Sequence, residues 1–487
     1  MKSKIETLKS IILIVLVIST AMLTQLNLFD GLIISQGQSI TVDLPSSKLS
    51  FYINPQSYFV GLGGLSYTKV YEPTLQDNIW SEIRPFILST LLNHDEVMEI
   101  SKDDYVRAFS ENSLMVRMPF EMPIEDFYSL FSTEVLSSQV KSIYPKEYLM
   151  REGNVRSLFI FDEKNQKYYL IKHKTLTHDI GSVISSIKDS DYIEYRKISD
   201  RFSLASTVSA SYNQKNYELI PYLYDFMFPT ISIENEVRLQ EAYFSNDVSG
   251  ITSAVFGDRL DFVKRLKDVN DSVVLMYGYG DKSITVTNDG KISYRKKLET
   301  DLNNRMTFKD AFALAMGKIE NFGAQPNGLY LTDYEYVAQE NTYRFFLNYK
   351  IAGLSMGQIK ADDHPYFIEV KDHQVISVDK KVKFNRGEVV LDDYSNVARM
   401  FTIDDCLANN FLEVSIYYLQ DNNIYTTAQD TIEYYFPVRS EISSVELNYI
   451  ETFVSDNVYL MPTWQVVISG RTYLFNAYDG ELIETYR

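Results

Sequence analysis

The 487-residue sequence predicts an α+β protein, with a single N-terminal transmembrane helix followed by several domains of antiparallel sheets with packed helices. Three observations support this class. No charge occurs from Ser10 to Phe29, and about 20 such residues can span a bilayer. Aromatic residues make up 14% of the chain, chiefly 37 Tyr and 28 Phe, which favours β-rich structure. Two aromatic stretches near the C-terminus, "NTYRFFLNYKIAG" and "NVYLMPTWQVVISG", resemble each other.

The N-terminus determines the expected topology. Residues 1–9 contain three lysines and precede the apolar run at 10–29, and Asp30 follows it. By the positive-inside bias, residues 1–9 form a cytoplasmic tail and the bulk of the chain lies outside the cytoplasm. A cleaved signal peptide is the alternative, but the apolar run continues well past the small residues at 19–21.

One face of this predicted helix carries polar residues. Positions three and four apart share a helix face, and such spacings link Leu13, Val17, Thr20, Thr24 and Asn27. Thr and Asn side chains can hydrogen-bond between helices in lipid. The stripe is therefore a candidate contact for another membrane helix, although the same residue types are also tolerated near the outer interface.

Changes of pattern divide the rest of the chain into three predicted domains. An N-terminal α+β domain spans 30–188, a middle domain spans 189–303 and a C-terminal domain spans 304–487. The last is expected to contain two related halves, at about 304–385 and 400–487. Each half reads as a helix followed by an antiparallel meander, which can cover one face of its sheet.

Matched positions support the duplication. Three pairs fit one constant offset: Glu335 with Glu451, Asn341 with Asn457, and Tyr343 with Tyr459. Three more fit a second offset: Tyr366 with Tyr473, Asp372 with Asp479, and Ile376 with Ile483. The aromatic C-terminal end is thus expected to be half of a repeated packing unit.

Local signals place the individual elements. The stretch "DNIWSEIRPFILSTLLN" has helical apolar spacing, and "ITSAVFGDRLDFVKRLKD" is also expected to be helical. Ser101, Thr307 and Thr402 are expected to cap the starts of helices. Turn residues predict hairpins at 163–166, 288–290, 469–470 and 479–480.

The sequence offers little that points to catalysis. The formal net charge of −18, with no basic stripe, argues against nucleic-acid binding. Histidines such as His173 and His178 lack a metal-site motif and are expected to be solvated, and Cys406 is expected to be a buried structural thiol. "GLGG" at 61–64 and "GYGDKS" at 278–283 fit turns and no nucleotide fingerprint. We expect no enzyme activity and no cofactor or metal.

Several stretches together resemble a known family, the YycH regulatory proteins. The resemblance rests on "INPQSYFVGLGGLSYTKVYEP", "EISKDDYVRAF", "VFGDRLDFVKRL", "LMYGYGDKSITVTNDGKISY" and "YLMPTWQVVISGRTYLFNAYDGELI". These motifs are spread over nearly the whole chain. None is catalytic, so their specificity lies in their order.

The resemblance implies a membrane-anchored extracytoplasmic regulator. Such proteins bind a sensor histidine kinase, WalK (YycG), of the WalK/WalR (YycG/YycF) two-component system through transmembrane helices. A YycI-like protein is a third partner, and the system controls cell-wall homeostasis. The family has no known cofactor. Two alternatives stay open at this point: an extracytoplasmic binding module for a peptide or wall fragment, and a wall hydrolase, for which no acid pair is evident.

Overall fold

Three β-sheets, built almost entirely from antiparallel strand pairs, form the framework of the chain. The structure, a computed structural model, describes residues 46–487 with the exception of 65, 154–155, 178, 191, 199–218, 223–226, 236–248, 258–261, 269, 299–304, 361–362, 392–398, 425–434 and 455–456. Residues 44–487 form one compact unit. Among the described residues, no helix is both long and apolar enough to cross a membrane.

The described helices are α1 (Ser46–Leu49), α2 (Pro73–Leu92), α3 (Lys102–Ser110), α4 (Ile124–Ser129), α5 (Ser138–Lys141), α6 (Gly181–Lys188), α7 (Ser249–Phe256), α8 (Phe308–Glu320), α9 (Ile403–Asn409), α10 (Phe411–Asp421) and α11 (Tyr435–Ser440). The described strands are β1 (Ser57–Leu62), β2 (Tyr67–Lys69), β3 (His94–Ile100), β4 (Asn112–Arg117), β5 (Pro145–Arg151), β6 (Ser157–Asp162), β7 (Lys167–His173), β8 (Tyr195–Lys197), β9 (Leu219–Pro221), β10 (Thr230–Asn235), β11 (Lys264–Lys267), β12 (Val273–Tyr277), β13 (Lys282–Val286), β14 (Ile292–Lys296), β15 (Tyr330–Val337), β16 (Thr342–Asn348), β17 (Lys350–Ile351), β18 (Leu354–Met356), β19 (Tyr366–Lys371), β20 (Gln374–Lys380), β21 (Lys383–Val389), β22 (Ile442–Val454), β23 (Asn457–Ile468), β24 (Arg471–Asn476) and β25 (Leu482–Tyr486).

The first sheet has nine strands in the order β3-β7-β6-β5-β4-β1-β2-β8-β9 and is buried on both faces. Helix α2 contributes Ile79, Ile83 and Ile87 to the core on one side. Helix α3 contributes Tyr105 and Phe109 to a separate core on the other side. Because both faces are covered, strands such as β4 are buried at nearly every position instead of at alternate positions.

The predicted helix starts are confirmed by their caps. The Ser101 Oγ accepts a hydrogen bond from the backbone N–H of Asp104 at 3.1 Å. Thr307 and Thr402 accept from residues three positions onward in the same way, at 3.2 and 3.1 Å. Each cap satisfies a backbone donor that lacks a partner in the first helical turn.

The second sheet has eight strands in the order β11-β12-β13-β14-β20-β19-β16-β15. Helix α8 covers one face and buries Phe308, Phe312 and Met316. These side chains belong to the same core as Phe345 and Ile368 of the sheet. The pairing of β14 with β20 makes one sheet out of strands from both sides of the predicted 303/304 boundary.

The third sheet is organised around the long strand β23. It pairs with β22 along its length, with β10 at Tyr459 and Leu460, and with β24 from Thr463 onward. Helix α10 packs on this sheet through Tyr417, whose ring lies edge-on to that of Tyr473. The Trp464 side chain is fully buried and donates its indole N–H to the carbonyl of residue 401 at 2.9 Å.

One local prediction is wrong. The sequence predicts a helix throughout 251–268, but α7 ends at Phe256 and residues 264–267 form strand β11. Gly257 follows the helix with a φ of +59°, a left-handed conformation that ends helices readily. The second part then pairs with β12, which shows that sheet pairing outweighs its helical spacing.

The class is confirmed as a mixed α+β architecture dominated by antiparallel sheets with several helices. The domain boundaries stay a prediction. The first hairpins of the two proposed halves share one register, because Glu335 pairs with Arg344 and Glu451 pairs with Leu460. Glu451 follows Glu335, and Leu460 follows Arg344, by the same number of residues. This is also the offset that relates the matched residues in the sequence.

A close approach joins the first and third sheets. Gly353, between β17 and β18, has a φ of +81°, and a Cβ atom at this position would lie 1.9 Å from the carbonyl oxygen of Tyr71. Only glycine fits such a contact without displacement of the backbone.

We predict that Gly353→Ala destabilises the protein by about 1–3 kcal/mol more than Gly470→Ala, because overpacking adds to the penalty of positive φ. Gly470 is a matched control, since its φ is +80° and no atom lies within 4 Å of the position that an added Cβ would take. Thermal unfolding followed by the fluorescence of the buried Trp80 and Trp464 measures the difference. Equal losses of stability in the two variants would contradict the steric argument.

Candidate protein-interaction surface

The residues of the predicted transmembrane stripe, Leu13, Val17, Thr20, Thr24 and Asn27, lie outside the described residues. Their role as a helix contact therefore stays a prediction. Within the described part of the chain, one face of the second sheet is accessible along all eight strands.

This surface, which we call the open face, consists of two rows of cross-strand neighbours that run over all eight strands. The first row is Lys264, Met276, Ser283, Arg295, Ser377, Glu369, Arg344 and Glu335. The second row is Leu266, Val274, Thr285, Ser293, Asp379, Phe367, Phe346 and Asp333. All of these side chains except Ser377 are at least partly exposed.

The alternation of strand side chains explains why this face is open. Residues one position along each strand point to the opposite face, where Leu275, Ile284, Tyr294, Val378 and Ile368 form a buried row. Helix α8 covers this row at β16, β19 and β20, and α7 contacts it at β13. The open face has the polar and mixed composition of a surface that folding leaves accessible.

Charged groups on the open face are paired with each other. The Arg295 guanidinium lies 2.6 Å from Asp379, and Arg344 lies between Glu335 at 3.1 Å and Glu369 at 3.4 Å. Partial burial acts to raise the pKa of Asp379, but the hydrogen bond and charge of Arg295 hold it below its usual value. Cross-strand pairs of opposite charge stabilise a sheet modestly and fix its register.

One end of the open face is aromatic. The rings of Phe346 and Phe367 lie 5.4 Å apart, and the imidazole of His364 lies 4.5 Å from the Phe346 ring. Aromatic and arginine side chains are enriched at protein interfaces, and this end of the open face carries both kinds of residue.

A second polar feature lies at the junction of the first and third sheets. Lys69 of β2 and Glu446 of β22 form a buried ion pair, and each residue is only 8% exposed. The Lys69 ammonium also lies above the rings of Phe59 and Tyr71, at 5.5 and 5.4 Å from their centroids. Removal of one partner from such a pair leaves an uncompensated buried charge.

Lys350 brings a third charge to this junction. Its Nζ donates to the Gln76 Oε1 at 2.9 Å and to the carbonyl oxygen of Pro55 at 3.2 Å. Burial, together with repulsion from Lys69, lowers the pKa of Lys350 to about 8, although Glu446 opposes the shift.

Groups that could support chemistry have structural roles. The sequence predicts a solvated His173, but this residue is 5% exposed, and its Nδ1 accepts from the N–H groups of Thr175 and Leu176 at 3.0 and 2.7 Å. Burial lowers the pKa of His173, so the neutral ring serves as a turn acceptor. Cys406 is buried as expected, and burial raises the pKa of its thiol. No group of side chains among the described residues has the composition of a metal site.

An apolar recess lies where the first sheet meets β15. Its cavity volume is about 10 Å³, room for about one water molecule, and it is lined by Met118, Phe127, Tyr148 and Leu331, with Asn54 at its side. Small-molecule sites start at roughly 300 Å³ and need convergent polar groups. The recess is therefore far smaller than such a site and has few polar groups to orient a ligand.

Comparison with known proteins identifies the architecture. No family model and no curated protein sequence matches the chain. Among solved structures, it is similar to the crystal structure of YycH from Bacillus subtilis, with a TM-score of 0.50 and 13% identity, over 88% of this chain and 96% of that chain.

The chain has a YycH-like fold. At 13% identity the likeness concerns the fold, and it agrees with the fold implied by the sequence resemblance. The open face was not found from the sequence. Its only local signal is the alternation in "YFIEVK" and "KISYRK", and the alignment of the rows depends on the registers of seven strand pairs.

We predict that the free energy of unfolding rises as the pH increases from about 8 toward 10, and that Lys350→Met reduces this rise. The lysine loses its proton at about pH 8 in the folded protein but only near 10.5 when unfolded. Within that window the unfolded state binds more protons, so stability increases with pH by at most about 1.4 kcal/mol per unit for one group.

Thermal unfolding of the full chain at pH 7.5, 8.5 and 9.5 provides the measurement. Lys360→Met is the control, because that side chain is exposed. Identical pH dependence in the Lys350→Met variant and the unchanged protein would show that Lys350 does not titrate in this range.

Proposed function

We propose that this protein is a membrane-anchored extracytoplasmic regulator that binds and modulates a WalK (YycG)-like sensor histidine kinase, together with a YycI-like partner, and thereby controls cell-wall homeostasis. The observation that carries the proposal is the YycH-like fold, which extends over 88% of the chain. The ordered sequence motifs of the family and the uncharged run at 10–29 support it. In this proposal the protein is not an enzyme and needs no cofactor.

The energetics of such regulation indicate more than one contact. To change a kinase from 1:99 to 99:1 between two states requires about 5.5 kcal/mol of differential affinity. A hydrogen bond between membrane helices contributes only about 0.6–2 kcal/mol. The stripe that includes Thr20, Thr24 and Asn27 is therefore insufficient for a complete switch.

The open face is our candidate for the additional contact. It offers aromatic side chains at Phe346 and Phe367 beside ordered charges. Because its ion pairs are preformed, a protein partner need not order them on binding, which lowers the entropic penalty of association. In this proposal the membrane helix selects the kinase and the open face adds affinity for one kinase state.

The alternative is an extracytoplasmic module that senses a peptide or wall fragment. The observation that favours it is the apolar recess beside Leu331. Its volume and scarcity of polar groups make this the weaker candidate. If no tested peptide or wall fragment changes the unfolding temperature of the full chain, this alternative is excluded.

We predict that replacement of residues 10–29 by an unrelated apolar helix abolishes co-purification of the kinase. The stripe would be lost while the anchor is retained. The tagged full-length chain and the swapped variant would be purified from native membranes in mild detergent, and mass spectrometry would identify the bound proteins. Equal kinase recovery with both proteins would exclude the transmembrane contact.

A second variant tests the open face. We expect Phe367→Lys to reduce kinase recovery by roughly thirtyfold, because loss of an aromatic anchor at an interface typically costs about 2 kcal/mol or more. Phe453→Lys is the matched control, since Phe453 is 72% exposed on the third sheet. Both variants should have unchanged unfolding temperatures. A similar loss of kinase recovery in both variants, or no loss in either variant, would contradict a role for the open face.

A further inference from the structure

Strand β11, at one margin of the second sheet, is accompanied by a group of exposed side chains. Phe262 and Leu266 are 75% and 49% exposed, and Tyr279, in the turn between β12 and β13, is fully exposed. Lys264, between the first two in the sequence, is exposed as well. We call these four residues the edge patch. A single exposed apolar side chain is ordinary, but several close together indicate a surface that contacts something else.

Contacts join the strand and the turn into one surface. The Lys264 ammonium lies 5.6 Å from the centre of the Tyr279 ring, within the range of a cation–π interaction. Lys264 and Leu266 point to the same face of β11, because side chains alternate along a strand. Their cross-strand neighbours on β12, Met276 and Val274, are partly exposed and extend the apolar area toward the turn.

The turn that presents Tyr279 has a constrained backbone. Gly278, Tyr279 and Gly280 have φ values of +60°, +56° and +100°. A left-handed conformation is uncommon for a tyrosine, and such conformations persist only where the surrounding structure enforces them. The backbone therefore holds this ring in a fully exposed position, where it adds nothing to the core of the protein.

The same margin is locally basic in an acidic protein. From Lys264 to Lys296, the first residue of β11 and the last of β14, the sequence has seven basic and four acidic residues. The whole chain has a net charge of −18, so this region has the opposite sign. Basic residues on a marginal strand hinder its pairing with another sheet. That effect explains the charges, but it does not explain the exposed Phe262, Leu266 and Tyr279, which would favour association.

We propose that the edge patch binds the surface of a membrane that contains anionic phospholipids. Aromatic and leucine side chains are favourable at the boundary between lipid head groups and acyl chains. The aliphatic part of the Lys264 side chain can lie beside them while its ammonium stays among the head groups. Each basic residue near an anionic membrane surface adds attraction. A soluble acidic polymer would match the charge but would leave Phe262 and Leu266 in water.

This inference uses the membrane anchor of the proposed function only to bring the patch within reach of a bilayer. Residues 30–45 connect the predicted membrane helix to the described part of the chain and can span at most about 55 Å. The patch is also separate from Phe367, since β11 and β19 are five strand spacings apart, about 24 Å. Membrane contact at one end of the open face therefore leaves its other end available to a protein.

Fluorescence quenching by lipids with brominated acyl chains tests the contact in the full chain. Phe262→Trp places a reporter in the patch and keeps it aromatic, while the buried Trp80 and Trp464 supply a constant background. Phe453→Trp is the matched control, since Phe453 is 72% exposed on the third sheet. Both variants would be reconstituted into nanodiscs of phosphatidylcholine alone or of an equal mixture of phosphatidylcholine and phosphatidylglycerol.

We expect brominated lipid to quench the Phe262→Trp fluorescence in the mixed nanodiscs, to quench it less in phosphatidylcholine nanodiscs, and to leave Phe453→Trp unchanged. The further substitution Tyr279→Ser should weaken the membrane contact by roughly tenfold, because burial of an aromatic side chain is worth at least about that factor. Equal quenching at positions 262 and 453, or no quenching at either, would overturn the proposal. Quenching that is equally strong without phosphatidylglycerol would overturn the role of anionic lipid.

Two additions separate this inference from its alternatives. Soluble polyglutamate that shields the Phe262→Trp indole from acrylamide, without any quenching by lipid, would assign the patch to an acidic polymer and refute the membrane contact. Retention of the chain in nanodiscs at about 1 M salt tests the anchor, because salt screens the patch but does not release a membrane helix. A chain that is retained but not quenched refutes the patch alone. A chain that is quenched at low salt and released at high salt supports the patch and refutes the anchor.

Discussion

The buried ion pair between Lys69 and Glu446 is the constraint on which the arrangement of the sheets depends. The partners are 377 residues apart in the chain and join the first sheet to the third. Loss of one partner from such a pair costs about 3–5 kcal/mol, whereas the intact pair adds little net stability. Its main physical effect is specificity, since only one alignment of the sheets satisfies both charges. The contact of Gly353 with Tyr71 enforces the same alignment sterically.

That fixed junction has consequences for the second sheet. Lys350 begins β17 of the third sheet, two residues beyond the end of β16 of the second sheet, and its ammonium contacts residues 55 and 76. The chain that leaves β16 is therefore anchored at this junction, while α8 covers one face of the second sheet. The other face remains accessible over all eight strands. A rigid, mixed and partly aromatic sheet face suits a protein partner better than a small molecule, which requires a concave site.

Charge is distributed unevenly in this acidic protein. Surface pairs such as Arg295 with Asp379 satisfy both partners. Lys69 is buried and paired with Glu446, and Lys350 is partly buried beside them. The junction between the sheets explains the positions of both lysines.

The sequence by itself determined the local features. Caps at Ser101, Thr307 and Thr402 and the glycine turns depend on neighbouring residues, so short-range hydrogen bonding and φ preferences are enough to predict them. The α+β class followed from composition and periodicity. The helix predicted over residues 264–267 is wrong because their strand pairing with β12 is a tertiary contact that outweighs local spacing.

Only the tertiary structure determines which residues lie together on a surface. The open face requires the registers of seven strand pairs to be correct together, and a shift of one residue in any strand would exchange its two faces. The burial of His173 likewise depends on its packing against α2, where Ser89 hydrogen-bonds its ring at 3.0 Å. Long-range packing creates these features, and they cannot be predicted from the local sequence.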